Sequence, residues 1–141
     1  MLPRFAFLVA GVLLFAGTPL RAGDPVAEAQ TIISGQIAAF IADDETSAYA
    51  YATPSLRRGI TDKAAFLKMV RDRYRPVYRA RIYAFGRSKL VGGGEFILQE
   101  VLITDRLGSD WTALFEMRLM DEGAYRVNGV RLSRNVASQG I

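Results

Sequence analysis

Residues 47–58 read SAYAYATPSLRR, and the conformation of this stretch decides the fold. Tyr49 and Tyr51 alternate with alanines as they would on a strand. Alanine is nevertheless the best helix former, and Ala48, Ala50 and Ala52 interleave the tyrosines, so local propensity favours helix. On a helix the two tyrosines point about 200° apart, so one packs inward while the other lies along the surface or at a cavity mouth. Thr53-Pro54 then stops the helix, because a residue before proline avoids the helical region.

Upstream, Pro25 suits a first helical turn, and Val26, Ala29, Ile33, Ile37, Phe40 and Ile41 recur at spacings of three and four. This predicts a helix over 25–42 with that stripe on the core. Asp43 and Asp44 end it, and Asp44 caps the shorter helix that contains the tyrosines. Downstream, Thr61 is a cap for a third helix over 61–77, with Ala65, Phe66, Met69, Val70 and Tyr74 at helical spacing and Pro76 at its end. The pattern then changes to short runs rich in β-branched and aromatic residues at 78–86, 95–105, 111–121 and 125–132, joined by glycine-rich or polar links. Asn128-Gly129 is kept inside the last of these because the arms of a hairpin there would be very short. Helices first and strands afterwards predict an α+β fold, with N-terminal helices packed on an antiparallel sheet of about four strands.

The first 22 residues follow the order of a secretory signal: Arg4, an apolar run from Phe5 to Ala16, a Gly17/Pro19 break and small Ala22. The run is shorter than the roughly 20 residues of a membrane span. The expectation is cleavage near Ala22, a periplasmic or secreted protein with no membrane association afterwards, and a single domain over 23–141 with an ordered core of about 25–134. Removing residues 1–22, which carry two arginines and no acid, leaves 119 of 141 residues with 16 basic and 14 acidic side chains, a net +2. That balance, with no aromatic-studded basic groove evident, argues against nucleic acid. Cysteine and histidine are both absent. The protein therefore lacks disulfides, Ser-His and Cys-His nucleophile machinery and the usual zinc ligands, and no metal or cofactor is expected.

Four stretches taken in order, FIADDETSAYAYATPSLR (40–57), FLKMVRDRYRPVY (66–78), LQEVLITDRLGSDW (98–111) and EMRLMDEGAYRVNGVRL (116–132), resemble the bacterial family known as domain of unknown function 4864. The helix-then-sheet order also resembles the nuclear-transport-factor-2-like fold, a cone in which a curved sheet wraps a long helix and leaves a cavity at its open end. The resemblance implies that fold and carries over no catalytic residue. Tyr125 stands where many such domains carry tryptophan, so its hydroxyl needs a partner in the core.

The cavity candidates are Tyr49, Phe66, Tyr74, Tyr83 and Gln99. They suit a module that binds a small molecule or a protein through an aromatic cavity or the sheet face. The alternative is an isomerase- or dehydratase-like enzyme using a cavity carboxylate and a tyrosine, for which Glu100, Asp105 and Glu116 are the acids to consider. Gln99 and Glu100 face opposite sides of one strand, and apolar residues on both faces leave open which of them points inward. The arginines at 71, 73, 75, 79 and 81 stand out locally. Arg71, Arg73 and Arg75 suit the negative end of a helix, whereas Arg79 and Arg81 would share a strand face with Tyr83 and Phe85 as an anion or partner surface. An apolar outer sheet face would also suit a homodimer.

Overall fold

Asp24 starts the first element by accepting a hydrogen bond from the Val26 amide at 3.0 Å, with Pro25 in the first turn of α1 (Pro25–Ile41). The computed structural model describes residues 23–135. The export signal expected over 1–22 lies outside the described residues, within which no helix is long and apolar enough to cross a membrane. Asp44 caps α2 (Glu45–Ala50) through the Ser47 amide, as its position predicts.

The stretch 47–58 is helical at both ends, with a single strand-like bridge residue between them. After α2, Ala52 makes a parallel bridge to Val127, with the Val127 amide donating to the Tyr51 carbonyl at 2.8 Å and the Thr53 amide to the Val127 carbonyl at 2.9 Å. Thr53-Pro54 both ends this segment and begins another helix, α3 (Pro54–Gly59). The Thr53 hydroxyl accepts from the Leu56 amide, and proline sits where its missing N–H costs nothing. No helical run marks α3 in the sequence, because its six residues expose no repeated apolar face.

The expected third helix divides in two. α4 (Lys63–Arg73) is capped by Asp62 rather than Thr61, and Tyr74 leaves helical geometry (φ −126°, ψ 38°) before the single turn α5 (Arg75–Tyr78). Pro76 cannot donate within a continuing helix, so the chain restarts and places Pro76 in a new first turn.

Four strands follow in the order β1-β2-β3-β4, all antiparallel: β1 (Ala80–Val91), β2 (Phe96–Asp105), β3 (Asp110–Leu119) and β4 (Tyr125–Arg134). The α+β arrangement is the predicted one. β1 runs on past Gly86, where the sequence reading ended it, because residues 86–87 form a bulge rather than a terminus. Two adjacent residues grip that bulge from opposite faces. On the inner face Gln99 Nε2 donates to the carbonyls of Gly86 and Arg87, both at 3.3 Å. On the outer face Glu100 accepts from the Arg87 amide at 3.1 Å and from its guanidinium at 2.8 Å.

A second bulge sets Asn128 out of register in β4, which stays one strand as expected. Asn128 donates to Glu116 and accepts from the Thr53 hydroxyl, tying the bulge to the α2–α3 junction. Helices cover the inner sheet face, where Ile97, Val101, Ala113, Phe115, Met117 and Val127 are buried against Ile33, Ile37 and Phe40 of α1. Tyr125 finds its partner in the Gly94 carbonyl at 2.6 Å, and burial pushes its phenol pKa up. The outer face leaves Ile82 and Leu102 exposed.

Candidate functional site

The C-terminal end of α4, the turn between β2 and β3, and the end of β4 converge on an open cleft of about 980 Å³. Tyr74, Trp111, Val130 and Leu132 supply its apolar and aromatic lining, and Arg73, Arg75, Arg79, Arg106 and Arg131 surround them. The acids of the cleft are Asp72 and Asp105, and both are engaged. Asp72 takes the Lys68 ammonium at 2.7 Å one helical turn away. Asp105 accepts from the Leu107 and Ser109 amides, each at 2.9 Å, and from the Trp111 indole N–H at 2.9 Å. This carboxylate therefore shapes the β2–β3 turn and fixes the Trp111 ring, over which the Arg134 guanidinium lies at 5.9 Å.

Arg79 is committed as well. It donates to the Phe40 carbonyl at 2.6 Å and to both Asp43 oxygens, and it stacks 4.1 Å from the centre of the Tyr78 ring. It precedes β1, so it does not share a strand face with Tyr83 and Phe85 as the sequence suggested. Among the described residues, by contrast, Arg73, Arg75, Arg106 and Arg131 have no carboxylate within salt-bridge distance. Arg131 pairs with Leu114, and Leu114 with Glu100, so its side chain turns to the outer sheet face. The guanidiniums of Arg73, Arg75 and Arg106, without salt-bridge partners, remain to make a positive field at the rim that attracts anions.

Behind this cleft a smaller chamber of about 160 Å³ lies between α1, α3, α4, α5 and β4. Its lining is apolar: Phe40, Leu56, Phe66, Met69, Val70, Val77 and Val127, with Gln36 and Tyr74 as the polar-tipped side chains. Tyr74 and Val130 line both spaces. The break between α4 and α5 puts Tyr74 there, since the last residue before the restart turns away from the α4 axis.

Of the residues singled out from the sequence, the structure brings together Phe66 and Tyr74 at the chamber. Tyr49 packs edge-on against Phe66 at 5.5 Å, and its hydroxyl donates to the Ile60 carbonyl at 2.6 Å, tying α2 to the end of α3. Tyr51 lies instead against Gly35 of α1, where any Cβ would collide with its hydroxyl. Tyr83 packs against Phe85 on β1, outside both spaces. Gln99 is fully buried and occupied by the bulge and by Gln30. Trp111, Arg106 and Arg131 went unmarked in the sequence reading. The lone tryptophan was the available signal, but nothing local joins it to arginines on other elements.

Each carboxylate with a displaced pKa is held low. For Asp43 the cause is first the Tyr78 hydroxyl and then Arg79, for Glu100 it is Arg87, and for Asp105 it is the Trp111 indole and then the Ser109 amide. A folded-state pKa below the unfolded value gives stability that is complete above the unfolded pKa and is lost as pH falls through the folded one. The thermal midpoint is therefore expected to be flat from about pH 5 to about pH 9, below the range in which Tyr125 ionises, and to fall below about pH 4. Asp43→Asn should flatten this acid limb, since asparagine tolerates the positive φ of 53° found there. An unchanged limb in a pH series of melts would remove Asp43 from the account.

Among known proteins, no curated protein and no solved structure matches the chain. Residues 24–140 match the family described as Domain of unknown function (DUF4864). That match runs from the cap of α1 past the end of β4 and takes in every element that builds the cleft, so the chain belongs to this family.

Proposed function

We propose that this protein is a binding module whose ligand, a small anion or a molecule carrying one, lodges in the arginine-rimmed cleft. The observation that carries this reading is the set of three guanidiniums, of Arg73, Arg75 and Arg106, without salt-bridge partners around Tyr74 and Trp111, beside an aspartate that holds the indole in place. Arginine forks recognise carboxylates and phosphates through paired hydrogen bonds. Helices gathered on one sheet face, with a chamber beneath them, support the nuclear-transport-factor-2-like reading of the fold.

The acid-base alternative needs a carboxylate at the chamber. The residues lining it include none, and no described aspartate or glutamate is buried. Glu100 and Glu116 are tied to Arg87 and Asn128 respectively. Binding is accordingly the better-supported reading.

Titration with inorganic phosphate, followed through the fluorescence of the single tryptophan Trp111, tests the proposal. Arg106→Glu is expected to weaken binding by roughly tenfold or more, the scale of one charge-assisted hydrogen bond. Lys89→Glu, an equal change of charge on exposed β1 and away from the cleft, should have little effect. Equal losses in the two variants would reduce the effect to net charge and overturn the site.

A further inference from the structure

We infer that the ligand is amphipathic: a compact apolar group, about the size of one aromatic ring, carrying an anionic head. This rests on the reading of the cleft as an anion site and adds the second half of the ligand. The two spaces differ in chemistry. The cleft is rimmed by guanidiniums, whereas the chamber behind it is lined by Phe40, Phe66, Met69, Val70 and Val77, with no charged side chain. Tyr74 and Val130 belong to both linings, so a single molecule passing them would meet arginine on one side and hydrocarbon on the other.

The size of the chamber limits the apolar part. About 160 Å³ is close to the roughly 150 Å³ apolar cavity that takes up one benzene. A long acyl chain does not fit this volume, since it carries many times the methylenes of one ring.

The chamber also offers one specific polar contact. Gln36 is 2% exposed, and its Nε2 donates to the Ala48 carbonyl at 3.2 Å. Its Oε1 accepts no hydrogen bond from another described residue, and no fully buried side-chain oxygen or nitrogen among those residues lacks a partner. This oxygen is therefore the accessible tip of an otherwise buried side chain. It can accept from a hydroxyl or amine on the apolar group, while Tyr74 and Trp111 flank the head.

The test compares inorganic phosphate, phenyl phosphate and toluene by isothermal titration on the purified protein. Phenyl phosphate is expected to bind at least about tenfold more tightly than phosphate, the scale of burying one ring, and toluene more weakly than phenyl phosphate. Met69→Trp, which fills the chamber, should bring the ratio of phenyl phosphate to phosphate affinity towards one; Leu56→Trp serves the same purpose should the first variant fail to fold. If phosphate and phenyl phosphate bind equally in the unaltered protein, the cleft stands and the amphipathic ligand is overturned. If neither anion binds, the anion site itself falls, and this inference with it. A ratio that survives both tryptophan variants places the ring outside the chamber and also overturns the inference.

Discussion

Phe115→Ala is expected to lower the unfolding free energy by about 3–5 kcal/mol, the usual cost of deleting a buried aromatic ring. Phe115 is fully buried on β3, with Gln99 of β2 and Val130 of β4 as its cross-strand neighbours. The loss includes both the transfer of the ring and the cavity it leaves, because helix and sheet are tied by hydrogen bonds at the α2–α3 junction and cannot close on it freely. Domains of this kind have a total stability of only about 5–15 kcal/mol, and this one has no cysteine with which to staple itself. Urea denaturation followed by circular dichroism should show the midpoint falling with the slope unchanged. Phe115→Leu, which keeps most of the volume, should cost clearly less. A loss below about 1 kcal/mol for the alanine variant would show that the core is not anchored at this ring.

Gln99→Leu is expected to cost about 2–3 kcal/mol although leucine is apolar and of similar size. The amide of Gln99 supplies hydrogen bonds to the Gly86 and Arg87 carbonyls, which the bulge has removed from the ladder between β1 and β2. Leucine leaves these acceptors without a donor beneath the sheet, and removing a partner costs more than the bond itself contributed. Gln30, which donates to Gln99 Oε1 at 3.2 Å, loses its acceptor too, but it is half-exposed and can turn to water. The damage should be local as well as global. Amide hydrogen exchange is expected to quicken on residues 88–91, the part of β1 beyond the bulge, before the rest of the sheet. A Gln99→Leu protein with native stability and unchanged exchange would return Gln99 to the list of ligand-contacting candidates.

Gln99 and Glu100 also show why the sequence left their orientation open. Along β2, Ile97, Val101 and Ile103 face the core, but Phe96, Leu98 and Leu102 alternate with them on the other face. A period of two names two faces without saying which one is covered, and a shift of one residue in register exchanges them. The choice came from the helices, which pack on the Gln99 side. The end of β1 was missed for a related reason. Gly86 looks like a terminator when read locally, and only the partners of its carbonyl, found 13 residues further on in β2, make it a bulge.

What the sequence determined by itself is what nearest neighbours control. Asp44 caps its helix through its own side chain, Pro25 opens the first one, and the apolar stripe of α1 and the β-branched runs declare helix and strand at short range, whereas Thr53-Pro54, which reads locally as a stop, also begins α3. These local preferences agree with one another, and that agreement was enough to predict the α+β order of elements. The absence of histidine and cysteine excluded whole chemistries without any structure. Only the tertiary structure decided the site. Arg73, Arg75 and Arg106 belong to α4, α5 and the β2–β3 turn, and what matters about each is whether a carboxylate pairs with it, as Asp43 does with Arg79, or not. Charge compensation and cavity shape depend on distances between groups far apart along the chain, and those distances are set by packing, which local preference does not encode.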